Sequence, residues 1–475
     1  MTLSTQICSR ARLSRDARFD GKFYIGVITS KVYCRPICPA RTAKEKNVRY
    51  YPTAAAAAEA GFRPCLRCRP ECSPGTPAWA GTPSTVTRAL RLIAEHGLED
   101  GGVEALAAKL GIGSRHLRRL FLAHLGATPI AVAHTTRLHF AKKLIDETAL
   151  PMNEIAIASG FGCVRRFNAQ IRTIYKRTPS QIRRLSREAS VRPENEYHFR
   201  LQYRPPFDWQ AMMSFLAPRA IPGVEVVQEG VYRRTIATAD SSGTLEVSHD
   251  EATEALRLRV HVDDPRALFG IVERVRGMFD LNADWQTVAN NLRNDDVLAE
   301  LTAKRPGIRV PGCWDGFELG VRAILGQQVT VKGATTLSGR LVEKFGKAIS
   351  GRSSLNFLFP TPKSLIKADI ASIGLPTARA ETIRRFTLAV HDGTVRFDGD
   401  VDADTLRAQL SKVPGIGAWT AGYIAMRALK DPDAFPSADL GLLRALGLKT
   451  AKELEARAES WRPWRAYAAM YLWSA

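Results

Sequence analysis

The sequence predicts a multidomain protein, mainly α with α+β parts, and three observations carry that prediction. At 475 residues the chain is too long for one hydrophobic core and suggests three or four domains. Six of its eight cysteines crowd the N-terminus, at Cys8, Cys34, Cys38, Cys65, Cys68 and Cys72. A basic helical pattern is duplicated between two stretches that read as linkers, Cys72 to Ser84 (CSPGTPAWAGTPS) and Ser186 to His198 (SREASVRPENEYH). The expected boundaries are 1–73 for a small α/β module, 84–186 for two helix-turn-helix units, 198–308 for a mixed α/β domain and 309–475 for an all-α domain.

An apolar fraction of 45% and a charged fraction of 24% exclude a disordered chain. The net charge of +21 points to a nucleic-acid binder, although a membrane surface or an acidic protein would attract it too. Met1 to Arg10 (MTLSTQICSR) lacks a charged segment followed by an apolar one, so no secretory signal is expected. With no uninterrupted apolar run near membrane-spanning length, the expectation is a cytoplasmic protein without a membrane partner. Eight cysteines in such a chain argue for metal or catalysis over disulfides.

Cys34-x3-Cys38 and Cys65-x2-Cys68 form two close pairs, and two such pairs supply the four thiolates that one tetrahedral zinc ion prefers. Cys8 and Cys72 fall outside the pairs and read as spectators. Val32 to Ala40 (VYCRPICPA) and Gly61 to Cys68 (GFRPCLRC) closely resemble the N-terminal domain of the Ada response protein. That resemblance implies Cys34 as both ligand and nucleophile, accepting a methyl group from a methylphosphotriester, with Cys38, Cys65 and Cys68 as the remaining ligands. Arg35, Arg63, Arg67 and Arg69 are expected as phosphate contacts.

Between the linkers, Leu106 to Phe121 and Ile155 to Ile171 share an apolar–Ala start, a glycine five residues on and a basic amphipathic helix. Thr-Pro follows each, at Thr128-Pro129 and Thr178-Pro179. The glycine permits the tight turn between crossed helices, and the second helix turns its cations outward. Two such units resemble the AraC-type transcription regulators. Arg115, Arg118, Arg119, Arg165 and Arg166 are the expected contacts to double-stranded promoter DNA.

Leu256 to His261 (LRLRVH) alternates as a strand, whereas the pattern beyond Arg309 is helical, with turns at Pro360-Thr361-Pro362, Gly374 and Pro414-Gly415. Pro414-Gly415-Ile416-Gly417 joins two helical runs, where Gly415 and Gly417 would let backbone N–H groups face a DNA phosphate. This hairpin, followed by Asp439, resembles the helix-hairpin-helix DNA glycosylase superfamily. Tyr203 to Ala217, Arg305 to Val329 and Pro463 to Ala468 (PWRAYA) narrow the resemblance to AlkA-type 3-methyladenine glycosylases, from about His198 to the end.

The resemblance implies Asp439 as the catalytic carboxylate, opposing the oxocarbenium charge that develops as an N-glycosidic bond breaks. Trp419 stands where bifunctional relatives carry a Schiff-base lysine, which implies a monofunctional enzyme. Trp419, Tyr423 and Trp473 are placed around the flipped base, whose cationic face suits electron-rich rings. Gln328 stands where relatives carry an apolar wedge, and Ser437-Ala438 where they often carry Pro-Asp. With no cysteine after Cys313, no iron–sulfur cluster is expected; a monovalent cation is expected at the hairpin. No Pro-Cys-His-Arg motif is found, so direct reversal of O6-methylguanine is not expected. The whole reads as a monomeric repair enzyme acting on damaged double-stranded DNA and coupled to a methylphosphotriester sensor and transcription regulator. The competing reading is a transcription activator with a catalytically silent glycosylase-like half.

Overall fold

The computed structural model describes residues 3–75, 84–96, 98, 102–185, 195–238, 241–349, 354–397 and 401–475. Most of both expected linkers, 76–83 and 186–194, therefore lies outside the described residues. The chain forms two compact units. One comprises Met1–Pro205, Asp250–Glu273 and Leu281–Ala283, the other Pro206–His249, Arg274–Asp280 and Asp284–Ala475. The stretch expected as a single mixed α/β domain contributes to both units.

The first unit opens with helix α1 (Thr5–Ser14) and a four-stranded sheet of order β3-β1-β2-β4. Its strands are β1 (Tyr24–Val27), β2 (Val32–Cys34), β3 (Val48–Tyr51) and β4 (Arg63–Pro64). Alternation along β1 divides the small core. Tyr24 packs with Tyr33, Ala54, Ala57 and Phe62, while Ile25 packs with Cys8, Ala11 and Phe23. Helix α2 (Ala54–Glu59) starts at Thr53, whose hydroxyl accepts from the Ala56 N–H and donates to the Leu125 carbonyl.

Among the described residues, seven helices follow: α3 (Ser84–His96), α4 (Gly102–Lys109), α5 (Ser114–Leu125), α6 (Pro129–Glu147), α7 (Met152–Ala158), α8 (Val164–Tyr175) and α9 (Pro179–Leu185). The duplicated turns α4–α5 and α7–α8 are present. Gly111 and Gly160, at matching places in the repeat, have φ of +71° and +72°, a region that side chains disfavour. Strand β5 (Glu196–Gln202) pairs antiparallel with β9 (Ala255–Val262), Phe199 opposite Leu258 and Leu201 opposite Leu256. Alternate residues of both strands are buried, as the pattern around Leu256 to His261 predicts. Helix α11 (Leu268–Met278) then leads the chain out of this unit.

The second unit contains α10 (Trp209–Leu216) and a meander of β6 (Glu225–Gln228), β7 (Val231–Ala237) and β8 (Ser242–Asp250). Among the described residues, the other named elements of this unit are helices apart from the two-residue pair β10 (Lys347–Ala348) and β11 (Phe357–Leu358). Its helices are α12 (Trp285–Leu292), α13 (Asp296–Lys304), α14 (Gly316–Leu325), α15 (Val331–Phe345), α16 (Pro362–Leu365) and α17 (Thr377–His391), then α18 (Ala403–Ser411), α19 (Ala418–Ala428), α20 (Leu440–Ala445), α21 (Ala451–Ala458) and α22 (Arg465–Trp473). The expected turn at Pro360-Thr361-Pro362 leads from β11 into α16, and those at Gly374 and Gly415 fall between helices. Thr361 caps α16, and Gly374 and Gly415 adopt φ of +89° and +94°. Among the described residues, no helix is long and apolar enough to cross a membrane.

A buried ion cluster braces the second unit. Arg322 on α14 reaches Glu225 at 2.8 Å and Glu318 at 3.0 Å, and Arg234 reaches Glu318 at 2.7 Å. The Tyr232 hydroxyl donates to Glu225 at 2.6 Å, so each buried carboxylate has several partners.

Candidate active site and metal centre

In the first unit the sulfur atoms of Cys34, Cys38, Cys65 and Cys68 all lie within 4.8 Å of one another. Four thiolates around zinc at about 2.3 Å would stand roughly 3.8 Å apart, so the donor set fits tetrahedral zinc. The four are unequal. Cys65 and Cys68 are buried, while Cys34, at the end of β2, and Cys38 retain surface. The Arg35 N–H donates to the Cys68 sulfur at 3.3 Å, and backbone N–H groups likewise reach Cys38 and Cys65. Such hydrogen bonds damp the nucleophilicity of those sulfurs. Of the spectators, Cys8 sits in the core beside Phe23, and burial pushes its thiol up to about 11.

Two of the four expected phosphate contacts are corrected. Arg35 is 3% exposed, ion-paired with Asp20, and donates to the Cys68 carbonyl at 3.0 Å and to Gln202 at 2.6 Å. It holds the zinc loop from within and has no face for DNA. Arg69 also turns inward, to Asp146 at 3.1 Å and Glu147 at 3.0 Å on α6. Arg67 is exposed and Arg63 half-buried, so both keep a surface.

The same network ties both ligand-bearing segments to α6, the helix between the two helix-turn-helix units. The Tyr33 hydroxyl meets His139 at 2.8 Å, and Lys142 meets Glu71 at 3.2 Å and also pairs with Asp146. Burial outweighs the attraction of Glu71 and moves the His139 imidazole down to about 4. Lys142→Met would remove one of the two cations that neutralise the buried carboxylates of Glu71 and Asp146, leaving Arg69 to face both. The expected loss is about 3–5 kcal/mol of folding stability, read by chemical denaturation, against less than about 0.5 kcal/mol for an exposed control such as Lys109→Met.

Arg115, Arg118 and Arg119 on α5, and Arg165 and Arg166 on α8, are all exposed, while Leu117, Phe121, Phe167 and Ile171 on the opposite faces are buried. Arg118 makes a long, exposed ion pair with Glu104 at 3.5 Å. Both second helices thus present cations to solvent, as a groove-reading helix requires.

In the second unit a cavity of about 970 Å³ is lined from α10, α14, the α18–α19 hairpin, α20 and α22. The hairpin is set by packing. A Cβ on Gly415 would come within 2.1 Å of the Thr382 hydroxyl, whereas one on Gly417, the N-cap of α19, would meet open space. Gly417 is therefore small without any demand from the fold, which leaves the backbone open to close approach from outside.

Asp439 lines this cavity as the N-cap of α20, and Oδ1 accepts from the Leu442 N–H at 2.9 Å. One side chain thus serves both as a helix cap and as part of the cavity lining. Oδ1 also accepts from the Trp473 indole at 3.0 Å, and Oδ2 from the Trp419 indole at 2.7 Å. The Trp419 and Tyr423 rings stack at 5.3 Å and 8°, and Trp473 tilts against Tyr423 at 6.4 Å. Three aromatic residues and one carboxylate, drawn from sequence positions 54 apart, thus form one wall.

Several neighbours had no sequence-based expectation. Arg427 donates to the Tyr423 hydroxyl at 2.7 Å and to the carbonyls of Pro311 and Gly312 at 2.8 Å each. The signal was available, since Arg427 lies four residues after Tyr423 on one helix face. Burial raises the Tyr423 phenol, but the positive charges of Arg427 and Arg219 outweigh it and leave the phenol below its ordinary value. Gln328 is exposed at the rim with φ +57°, beside Val329 and Val331 at 38% and 41% exposure. Gln327 turns the other way, into the hairpin, donating to the Gly415 carbonyl at 3.0 Å and the Thr420 hydroxyl at 3.1 Å.

Comparison with known proteins matches three family models: "Metal binding domain of Ada" at residues 7–71, "Helix-turn-helix domain" at 106–185 and "AlkA N-terminal domain" at 198–315. A probable bifunctional transcriptional activator/DNA repair enzyme AlkA of Mycobacterium tuberculosis is 41% identical over 475 residues, covering 98% of this chain and 95% of that protein. DNA-3-methyladenine glycosylase 2 of Escherichia coli is 34% identical over 278 residues, covering 58% of this chain and 96% of its own. Among solved structures, a 3-methyladenine DNA glycosylase from Archaeoglobus fulgidus superposes with a TM-score of 0.51 at 22% identity, over 58% of this chain and 97% of that one, which shows a shared fold.

Proposed function

From the premise that the chain belongs to the family of bifunctional AlkA transcriptional activator/DNA repair enzymes, we propose that it hydrolyses the N-glycosidic bond of alkylated purines and senses backbone methylation through Cys34. The observation that carries the enzymatic reading is Asp439, oriented by two indole N–H groups in the lining of an aromatic-walled cavity. A base of the 3-methyladenine or 7-methylguanine type, extruded from duplex DNA, enters the cavity against Trp419, Tyr423 and Trp473. Its positive charge suits their faces, and little specific hydrogen bonding is needed because alkylation already weakens the bond. As the C1′–N bond breaks, its electron pair leaves with the base. The Asp439 carboxylate opposes the charge left on the sugar, and water adds to C1′ on that face, its proton passing to solvent. With three N–H donors engaged, Asp439 acts chiefly through its fixed negative charge.

Trp419 offers no amine, so no Schiff base forms and the strand is not cut. Gly415, Gly417 and the start of α19 hold a phosphate, and Gln328 fills the emptied stack. The Val413 and Gly415 carbonyls accept from the Ile416 N–H and Gln327, yet each keeps a second lone pair for a monovalent cation.

In the first unit the Cys34 thiolate attacks the methyl carbon of a neutral phosphotriester, and the phosphodiester departs as the anion. Zinc, held by Cys34, Cys38, Cys65 and Cys68, would keep the thiol deprotonated near neutral pH. On simple counting, methylation takes the four-thiolate centre from about −2 to about −1, reducing repulsion of DNA as Arg115, Arg118, Arg119, Arg165 and Arg166 engage the promoter. The protein acts as a cytoplasmic monomer.

Two assays test this reading. After incubation with DNA carrying methylphosphotriesters, peptide mass spectrometry is expected to find a single methyl group on Cys34 and none on Cys38; an unmodified Cys34 in zinc-loaded protein refutes the transfer. Borohydride added during turnover is expected to trap no protein–DNA adduct, and a trapped adduct refutes the monofunctional assignment.

A further inference from the structure

Within the same site, and resting on the glycosylase reading, Gln327 joins two parts of the machinery that the chain builds separately. The turn after α14 carries Gln328 at the cavity rim, and the α18–α19 hairpin carries Gly415 and Gly417. The Gln327 amide spans them, donating to the Gly415 carbonyl at 3.0 Å and the Thr420 hydroxyl at 3.1 Å. Thr420 is 3% exposed on α19, next to Trp419, and anchors the amide inside the fold. On the other side of the same peptide, Gln328 holds φ at +57° and is exposed. A residue with a Cβ adopts that conformation only where its surroundings hold it there. Thr330 then caps α15 through the Gly333 N–H at 3.1 Å, so the turn is fixed at both ends.

We infer that Gln327 is a positioning residue that couples the hairpin's grip on the DNA backbone to insertion of Gln328 into the duplex. A hydrogen-bonded strut between the two loops transmits the position of one to the other. Without it, the hairpin still meets phosphates, but the turn carrying Gln328 can relax from its left-handed conformation and withdraw from the stack. Gln327 touches neither sugar nor base in this role. Its loss should therefore appear in base extrusion and in the rate of release, and hardly in affinity for undamaged DNA.

The test uses the full-length, zinc-loaded protein and a duplex carrying one 7-methylguanine flanked by 2-aminopurine, whose fluorescence rises on unstacking. Gln327→Leu is expected to lower single-turnover base release roughly tenfold, the effect of two lost neutral hydrogen bonds, and to suppress the fluorescence rise. Affinity for an undamaged duplex should stay within roughly threefold, since the phosphate contacts remain. Thr420→Val is expected to give a smaller loss that does not add to that of Gln327→Leu, as groups in one network couple. Should Gln327→Leu lower the thermal midpoint, Gln327→Asn, which keeps the amide but is too short to reach both partners, takes its place with the same expectations. Wild-type release and fluorescence in the variants overturn the inference, as does a loss of affinity matching the loss of rate. A wild-type protein that releases no base defeats the glycosylase reading itself, and this inference with it.

Discussion

Asp439→Asn is expected to lower single-turnover release of an alkylated purine by roughly a thousandfold while leaving DNA affinity nearly intact. Asparagine is as good a helix N-cap as aspartate, so the start of α20 should survive the exchange. What it cannot do is accept at both ends. Oδ1 serves the Leu442 N–H and the Trp473 indole, and Oδ2 serves the Trp419 indole. An amide NH2 in either place would point a donor at a donor, displacing one of the two rings and removing the negative charge together. The measurement is base release at enzyme excess beside a binding titration with abasic DNA. A rate within tenfold of wild type would show that the carboxylate is a cap and nothing more.

Removal of the zinc ligands is expected to have the largest effect on stability. The core of residues 3–75 is made of small clusters around a sheet whose shortest strand has two residues. A domain of this size rarely holds itself without a staple. A structural zinc ion contributes about 10–16 kcal/mol of apparent binding free energy, as much as the whole stability of many domains. Chelation, or Cys65→Ala, should therefore unfold this segment, read as rapid protease cutting within 3–75 and loss of one equivalent of bound zinc. Resistance to the protease after complete zinc removal would contradict the account. Cys34→Ser is a poorer probe, because it would remove the proposed nucleophile and a ligand at once.

Features with short sequence range were legible in advance. Gly111 and Gly160 take the left-handed turns that the repeat demands, Cys34, Cys38, Cys65 and Cys68 converge, and Leu256 to His261 is a strand. The cations of α5 and α8 face outward because their apolar neighbours at helical spacing face in. The errors come from partners far along the chain. Arg35 reads as a phosphate contact because it sits in a basic loop, but Asp20 and Gln202, the latter 167 residues away, bury it. Arg69 is claimed by α6 in the same way. In the sequence Trp419 and Trp473 show only as stacking rings, and their indole N–H groups on Asp439 are invisible there because a side-chain donor has no periodicity. Gln327 stood unnoticed beside Gln328, since two identical neighbours give no sign of which turns inward.

The central claim is that this chain breaks an N-glycosidic bond, and the most direct measurement is the release of free base from duplex DNA containing a single 7-methylguanine. The account predicts free 7-methylguanine from the wild-type protein, with the strand intact until hot alkali cleaves the abasic site. No free base from folded, zinc-loaded protein at saturating concentration would contradict it and leave a DNA-binding regulator.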